Sequence, residues 1–328
     1  MRTLPRHAAR ILGYGAVVTA AAALGGAGIL LGQAQQARRT IPRAQAPPPR
    51  GDGRYGGKAG GEPLRLAVLG DSVAAGYGVA KPRQTPGALL AIGISRRLGR
   101  PVRLRRLAVV GSESRALALQ VEAALETPPD LAVIVAGGND VTHRVPVPVA
   151  VRHLVAAVRE LRAAGAEVVV GTCPDLGTIR PIRPPLRWLA RRWSRQLAAA
   201  QTVAVVEAGG WTVSLGDLLG PRFTAEPLRM FGQDRFHPSA EGYAAAAAAI
   251  LPTALAALGA AGPTRAAAGI RSLPHAAVTA SRHAGTEVSG ASVGGRERGP
   301  AGRWAAIRTR VMSTIRPTDA VETQEVSQ

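Results

Sequence analysis

The stretch "VLGDSVAAGYG", residues 68–78, sets the problem this chain poses. The residues leading into it, Leu64 to Leu69, are mostly β-branched or aliphatic, so a buried strand runs straight into Gly-Asp-Ser, three residues suited to a tight turn. A serine placed there is either the cap of a following helix or a nucleophile held at the edge of a sheet.

On both sides of this stretch strand and helix patterns alternate. Largely apolar runs at 64–69, 102–110, 131–136 ("LAVIVA"), 166–170 and 202–206 read as strands, and near-continuous runs such as these suit a parallel sheet covered on both faces. Between them lie helical patterns at 87–98, 114–126 and 186–200. The clearest has Val151, Leu154, Val155, Val158 and Leu161 on one face, with Arg and Glu on the other, and ends near Gly165. A last, Ala-rich helix starts after Ser239. Such alternation predicts one doubly wound α/β domain over 63–261.

The ends differ from this middle. A basic segment, 1–10, precedes Ile11–Gly32, a run of 22 residues without a charge, which at 1.5 Å per residue is long enough to cross a hydrocarbon core. An uncleaved anchor is the preferred reading. A signal sequence cut after "GQA" at 32–34, giving a secreted protein, is the alternative. Either way the C-terminal part is expected on the exported side. Residues 33–62 are rich in Pro and Gly and read as a linker that cannot bury enough surface to fold. Residues 262–328 read as a mostly disordered basic tail. Within it, 303–316 places Trp304, Ile307, Val311 and Ile315 on one face of a basic helix.

The formal charge of +20 raises the question of nucleic acid. Yet the basic residues are nearly all Arg and spread through the chain, and aromatics, at 3%, do not interleave with them, so the stacking surface of a single-strand binder is missing. No nucleic-acid partner is expected. Cys173, the one cysteine, excludes an internal disulfide and a multi-cysteine metal site, and reads as a small buried apolar group.

Sites in a doubly wound sheet form at the carboxyl ends of strands. Four such places hold unusual residues: Gly70-Asp71-Ser72, then Gly111 in "VVGSES", Gly137-Gly138-Asn139-Asp140, and Asp234 with His237 in "DRFHPSAEGY". Acyl transfer by serine needs a hydroxyl, a base, a group that orients the base and donors for the oxyanion. Ser72 supplies the hydroxyl, His237 the base, and Asp234, three residues earlier in one turn, the orienting carboxylate. Asn139 and the amides of Ser72 and Gly111 supply the oxyanion donors. Taken singly, each residue reads more simply: Ser72 as an N-cap, Asn139 and Asp140 as turn residues, His237 and Asp234 as loop residues. The joint pattern is what argues for chemistry. Asp71 is expected to hold the turn by hydrogen bonds, and His143 to be a packed or surface histidine.

"GDS", Gly111, "GGND" and "DRFH", in this order, resemble the four blocks of the SGNH hydrolases, the GDSL-type esterases and lipases. "GGNDVTH", "CPDLGT" and "DRFHPSAEGY" are similar to actinobacterial, envelope-associated members. The resemblance covers about 64–255 and implies a three-layer flavodoxin-like fold with five parallel strands, an esterase, lipase or acyltransferase, and neither metal nor organic cofactor. It makes Ser72 the nucleophile, His237 the base, Asp234 its partner, and Ser72, Gly111 and Asn139 the oxyanion hole. Val73 stands where the family name has Leu. The leading expectation is a serine hydrolase of acyl esters. The alternatives are transfer of the acyl group to a sugar or lipid hydroxyl of the envelope, and a non-catalytic envelope-binding protein. The Arg- and Pro-rich segment 174–193 lies beside the expected site, either as a binder of anionic or amphiphilic substrate or as a solvated loop.

Overall fold

Successive side chains of the strand Leu64–Gly70 point to opposite faces of the sheet, and both faces are covered: Leu66 and Val68 join one hydrophobic cluster, Ala67 and Leu69 another. Burial on both sides is why Leu66–Leu69 reads as one continuous apolar run, after the exposed Arg65. The structure, a computed structural model, describes residues 25–41, 47–57 and 60–260.

In chain order the elements are helix α1 (25–40), β1 (Gly53–Tyr55), β2 (Leu64–Gly70), α2 (Ser72–Ala75), α3 (Pro86–Leu98), β3 (Val102–Arg106), α4 (Leu117–Leu125), β4 (Leu131–Val135), α5 (Gly138–Thr142), α6 (Val147–Ala163), β5 (Glu167–Gly171), α7 (Leu186–Glu207), β6 (Trp211–Val213), α8 (Leu215–Ala225), α9 (Pro227–Met230) and α10 (Ala240–Ala257). Short 3₁₀ turns lie at Pro82–Gln84, Ser114–Ala116 and Leu176–Thr178.

The sheet has six strands in the order β1-β3-β2-β4-β5-β6. Five run parallel in flavodoxin-like order, and β2 and β4 are the neighbours at which the strand order reverses. One face carries α3 and α10, with Leu90, Ile94, Ile250 and Ala254 packed on Leu66, Val68, Leu131 and Val133. The other carries α4, α6 and α7, with Val121, Leu154, Val158 and Val205 on Leu69, Ile134, Val168 and Val170. This is the expected three-layer α/β fold. Leu154, Val158 and Leu161 of α6 are fully buried at helical spacing, and Gly165, at φ 86°, follows the helix end.

Two expectations are corrected. Residues 202–206 are not the fifth parallel strand. They close α7, where Ala198, Gln201, Thr202, Val205 and Val206 are buried at intervals of three and four, and the strand is the three-residue β6. A short apolar run has no period of its own, and a helical face can supply the same residues. The linker expectation for 33–62 also fails in part. Residues 33–40 are helical, Ala37 and Ile41 pack into a third cluster, and β1 adds an antiparallel edge strand, Tyr55 opposite Val102. An edge strand pairs through its backbone and needs little apolar alternation, so "GRY" carries no strand pattern. The expected strand 102–110 forms a ladder only to Arg106, and Val109 and Val110 beyond it are exposed. Segment 1–10, most of the apolar run 11–32 and the tail 262–328 with its 303–316 helix lie outside the described residues.

Candidate active site

Gly70 ends β2 with φ 129°, and a Cβ there would sit 1.9 Å from the Val135 carbonyl oxygen, so only glycine lets β2 turn this close to β4. The side chain of Gln120, buried on α4, grips the same residue twice, accepting from Gly70 N (2.7 Å) and donating to Gly70 O (3.0 Å). Asp71 then caps α2 by accepting from the Val73 amide at 2.9 Å, and Gly76 in the left-handed region ends the helix after one turn. The turn leaves Ser72 7% exposed at the carboxyl edge of the sheet.

The second half of the site comes from 165 residues later. Asp234 accepts through Oδ1 from the amides of Phe236 (3.0 Å) and His237 (2.9 Å), with Arg235 between them at φ 55°. This closes the turn 234–237 and leaves Oδ2 for the imidazole. Asp234 Oδ2 lies 2.6 Å from His237 Nδ1, and His237 Nε2 lies 2.9 Å from Ser72 Oγ. With its Nδ1 proton held by the carboxylate, the ring presents Nε2 as an acceptor to the Ser72 hydroxyl. Tyr77 and Phe236 stand edge-on to the imidazole, 4.6 and 4.9 Å between ring centroids, and fix its plane. Burial alone would raise the Asp234 carboxyl. The hydrogen bond from His237 and the two backbone amides outweigh it and hold the group below its ordinary value.

The remaining predicted residues arrive from the second and third blocks. Gly137, at φ 128°, starts α5, and Asn139 Nδ2 donates to the Ser112 carbonyl at 3.0 Å. Ser112 Oγ in turn donates to Gly70 O at 3.1 Å. Gly111, exposed at φ 81°, sits beside Ser112 in this pinned loop but does not line the cavity described below. Ser72, Asn139, Asp234 and His237 are thus brought together, with Gly111 at the margin.

Three features of the site go beyond the sequence reading, in which Asp71 is already expected to hold its turn. Buried Asp140 accepts from both Ser114 N (3.1 Å) and Ser114 Oγ (2.9 Å), tying the third block to the second. Asp71 takes the Gly138 amide as well as that of Val73; burial nevertheless pushes its carboxyl up to about 6. Asp175, buried, is held by Arg191 (3.1 Å) and Arg195 (3.2 Å), one turn apart on α7. Each link joins residues remote in sequence, so only the i, i+4 arginines left any signal. His143 lies at the surface against Glu113 Oε1 at 2.9 Å, and Cys173 is buried, its thiol pushed up by that burial.

Ser72, His237 and Asn139 open onto a cavity of about 80 Å³ whose wall is largely apolar, with Leu176, Ile179, Leu215, Phe223 and Phe231. The start of segment 174–193 therefore forms one side of it. A hydroxyl activated by an imidazole–carboxylate pair, at the mouth of an apolar pocket, is an arrangement able to attack an acyl carbonyl.

The family described as GDSL-like lipase/acylhydrolase matches residues 68–245. The chain is 46% identical over 242 residues to the GDSL-like esterase Rv1075c of Mycobacterium tuberculosis, an overlap of 70% of this chain and 76% of that one. Among solved structures, the crystal structure of TesA is similar with a TM-score of 0.46 and 23% identity, covering 58% of this chain and 97% of TesA. A member of the lipolytic G-D-S-L family from Veillonella parvula gives a TM-score of 0.45 and 19% identity, covering 57% of this chain and 96% of its own.

Proposed function

Because this chain belongs to the GDSL-like lipase/acylhydrolase family and is a serine esterase, we propose that it hydrolyses acyl esters through an acyl-enzyme on Ser72. The observation that carries this reading is the continuous chain from Ser72 Oγ through His237 to Asp234, at 2.9 and 2.6 Å.

His237 Nε2 takes the Ser72 proton as Oγ attacks the ester carbonyl, and the Asp234 carboxylate stabilises the imidazolium that forms. The oxyanion is met by the Ser72 amide and by Asn139 Nδ2, whose other hydrogen is held by the Ser112 carbonyl, while Gly111 stays outside the cavity wall. His237 returns its proton to the departing alcohol. A water then attacks the acyl-enzyme, losing a proton to the same nitrogen, and Ser72 is regenerated. The acyl group lies in the apolar cavity between Ile179 and Phe223. Water is taken as the acceptor because the 46% identical relative is an esterase by name.

The apolar run 11–32 anchors the enzyme in a bilayer, with the catalytic domain on the exported side, and its substrates are esters of that environment, lipid or glycan. A serine-directed phosphonate tests the nucleophile: intact-mass measurement is expected to find one adduct on the wild-type protein and none on Ser72→Ala. An adduct that persists on Ser72→Ala overturns the assignment.

A further inference from the structure

Gln33 fastens α1 to the domain at one point. Its Nε2 donates to the Pro184 carbonyl (2.6 Å) and its Oε1 accepts from the Leu186 amide (3.0 Å), satisfying the first N–H of α7. One turn later Ala37 is buried, and Ile41 packs into the cluster that also holds Leu176, Ile179, Phe223 and Phe231 of the cavity wall. Residues 33–41 and the cavity therefore belong to one packed body, and the chain leaving the apolar run is not a loose tether.

That run ends at Gly32, one residue before the clamp. If 11–32 spans a bilayer, Gln33 stands at its boundary and carries Pro184 and Leu186 there with it. The surface so placed has interfacial chemistry. Trp188 is 66% exposed. Arg183, Arg187 and Arg192 have no acidic partner among the described residues, and no Asp or Glu occurs between 176 and 206. Arg180 donates to the Thr224 carbonyl at 3.1 Å, joining this segment to the end of α8; in α9, which follows, Leu228 is 85% exposed.

We infer that residues 180–192, together with Leu228, form a bilayer-docking rim that the Gln33 clamp holds against the membrane surface. Trp188 sits at the headgroup level, where an amphipathic ring is favoured, and the arginines engage lipid phosphates. This inference rests on the anchoring reading above. It adds that the cavity wall at 174–179, which begins the same segment, is the part of the site nearest the lipid.

The full chain, reconstituted in vesicles of phosphatidylcholine and phosphatidylglycerol, tests it. Cys173 is buried, so a fluorophore reacts selectively at Trp188→Cys or, as a control at the amino-terminal end of the sheet, at exposed Thr127→Cys. A headgroup nitroxide lipid is expected to quench the label at 188 and not at 127. In Gln33→Ala the protein is expected to float with vesicles as before but to lose the quenching at 188. Flotation with equal quenching at 188 and 127 overturns the rim alone, and unchanged quenching in Gln33→Ala overturns the clamp. Failure of the full chain to float overturns the anchor itself.

Discussion

Asn139 gives one hydrogen of its side-chain amide to the Ser112 carbonyl, 3.0 Å away, which fixes the direction of the other. The donor is thereby oriented before any substrate arrives, and no reorganisation is needed when charge develops on the carbonyl oxygen.

Asn139→Ala is accordingly expected to lower kcat by about a hundred- to a thousand-fold on a short-chain chromogenic ester, as removal of one oxyanion donor does elsewhere. KM should change little. A loss confined to KM would place Asn139 in substrate binding only.

Asp234→Asn tests the tautomer. The amide keeps an oxygen for the backbone N–H groups of Phe236 and His237 while turning a donor toward Nδ1, so the ring proton moves to Nε2 and faces Ser72. Turnover is expected to fall by about ten-thousand-fold with thermal stability nearly unchanged, against about a million-fold for Ser72→Ala or His237→Ala. Near wild-type turnover in Asp234→Asn would count against the relay.

Asp217 is buried on α8, its Oδ2 has no hydrogen-bond partner among the described residues, and burial raises the carboxyl from 3.8 to about 7. A raised folded value means that the unfolded chain releases this proton first, so between 3.8 and about 7 the group makes the fold less stable as pH rises. Asp71, raised to about 6, acts with the same sign. Urea unfolding of Asp217→Asn across that window is expected to show a flatter decline than wild type, with the residual slope ending near the Asp71 value. Identical slopes in the two proteins would remove Asp217 as the cause.

Gly70→Ala places a methyl 1.9 Å from the Val135 carbonyl at a φ that L-residues rarely adopt. The β2–β4 contact must then open at the point where Ser72 is presented. A loss of more than about 3 kcal/mol is expected from the clash and strain together, read as a fall in the urea midpoint. A variant as stable as wild type would show that the turn has room to move.

Residues 66–69 and 131–136 showed in the sequence that they belonged to strands, because a strand buried on both faces must be apolar there, and α6 showed its period because only one of its faces is buried. Ser72, Asn139, Asp234 and His237 were legible for a similar reason: each sits beside a turn that demands Gly, Asp or Pro nearby. Tertiary structure alone decided the rest. Whether 202–206 joined the sheet or closed α7 depended on which neighbour covered it, and "GRY" became a strand because β3 offered a free edge. Nor could chain order reveal that Asp140 meets Ser114, that Gln33 reaches Pro184, or that Asp217 Oδ2 is left without a hydrogen-bond partner among the described residues. Local sequence records the backbone and burial demands at one position, whereas these contacts arise from packing between segments that the chain itself keeps far apart.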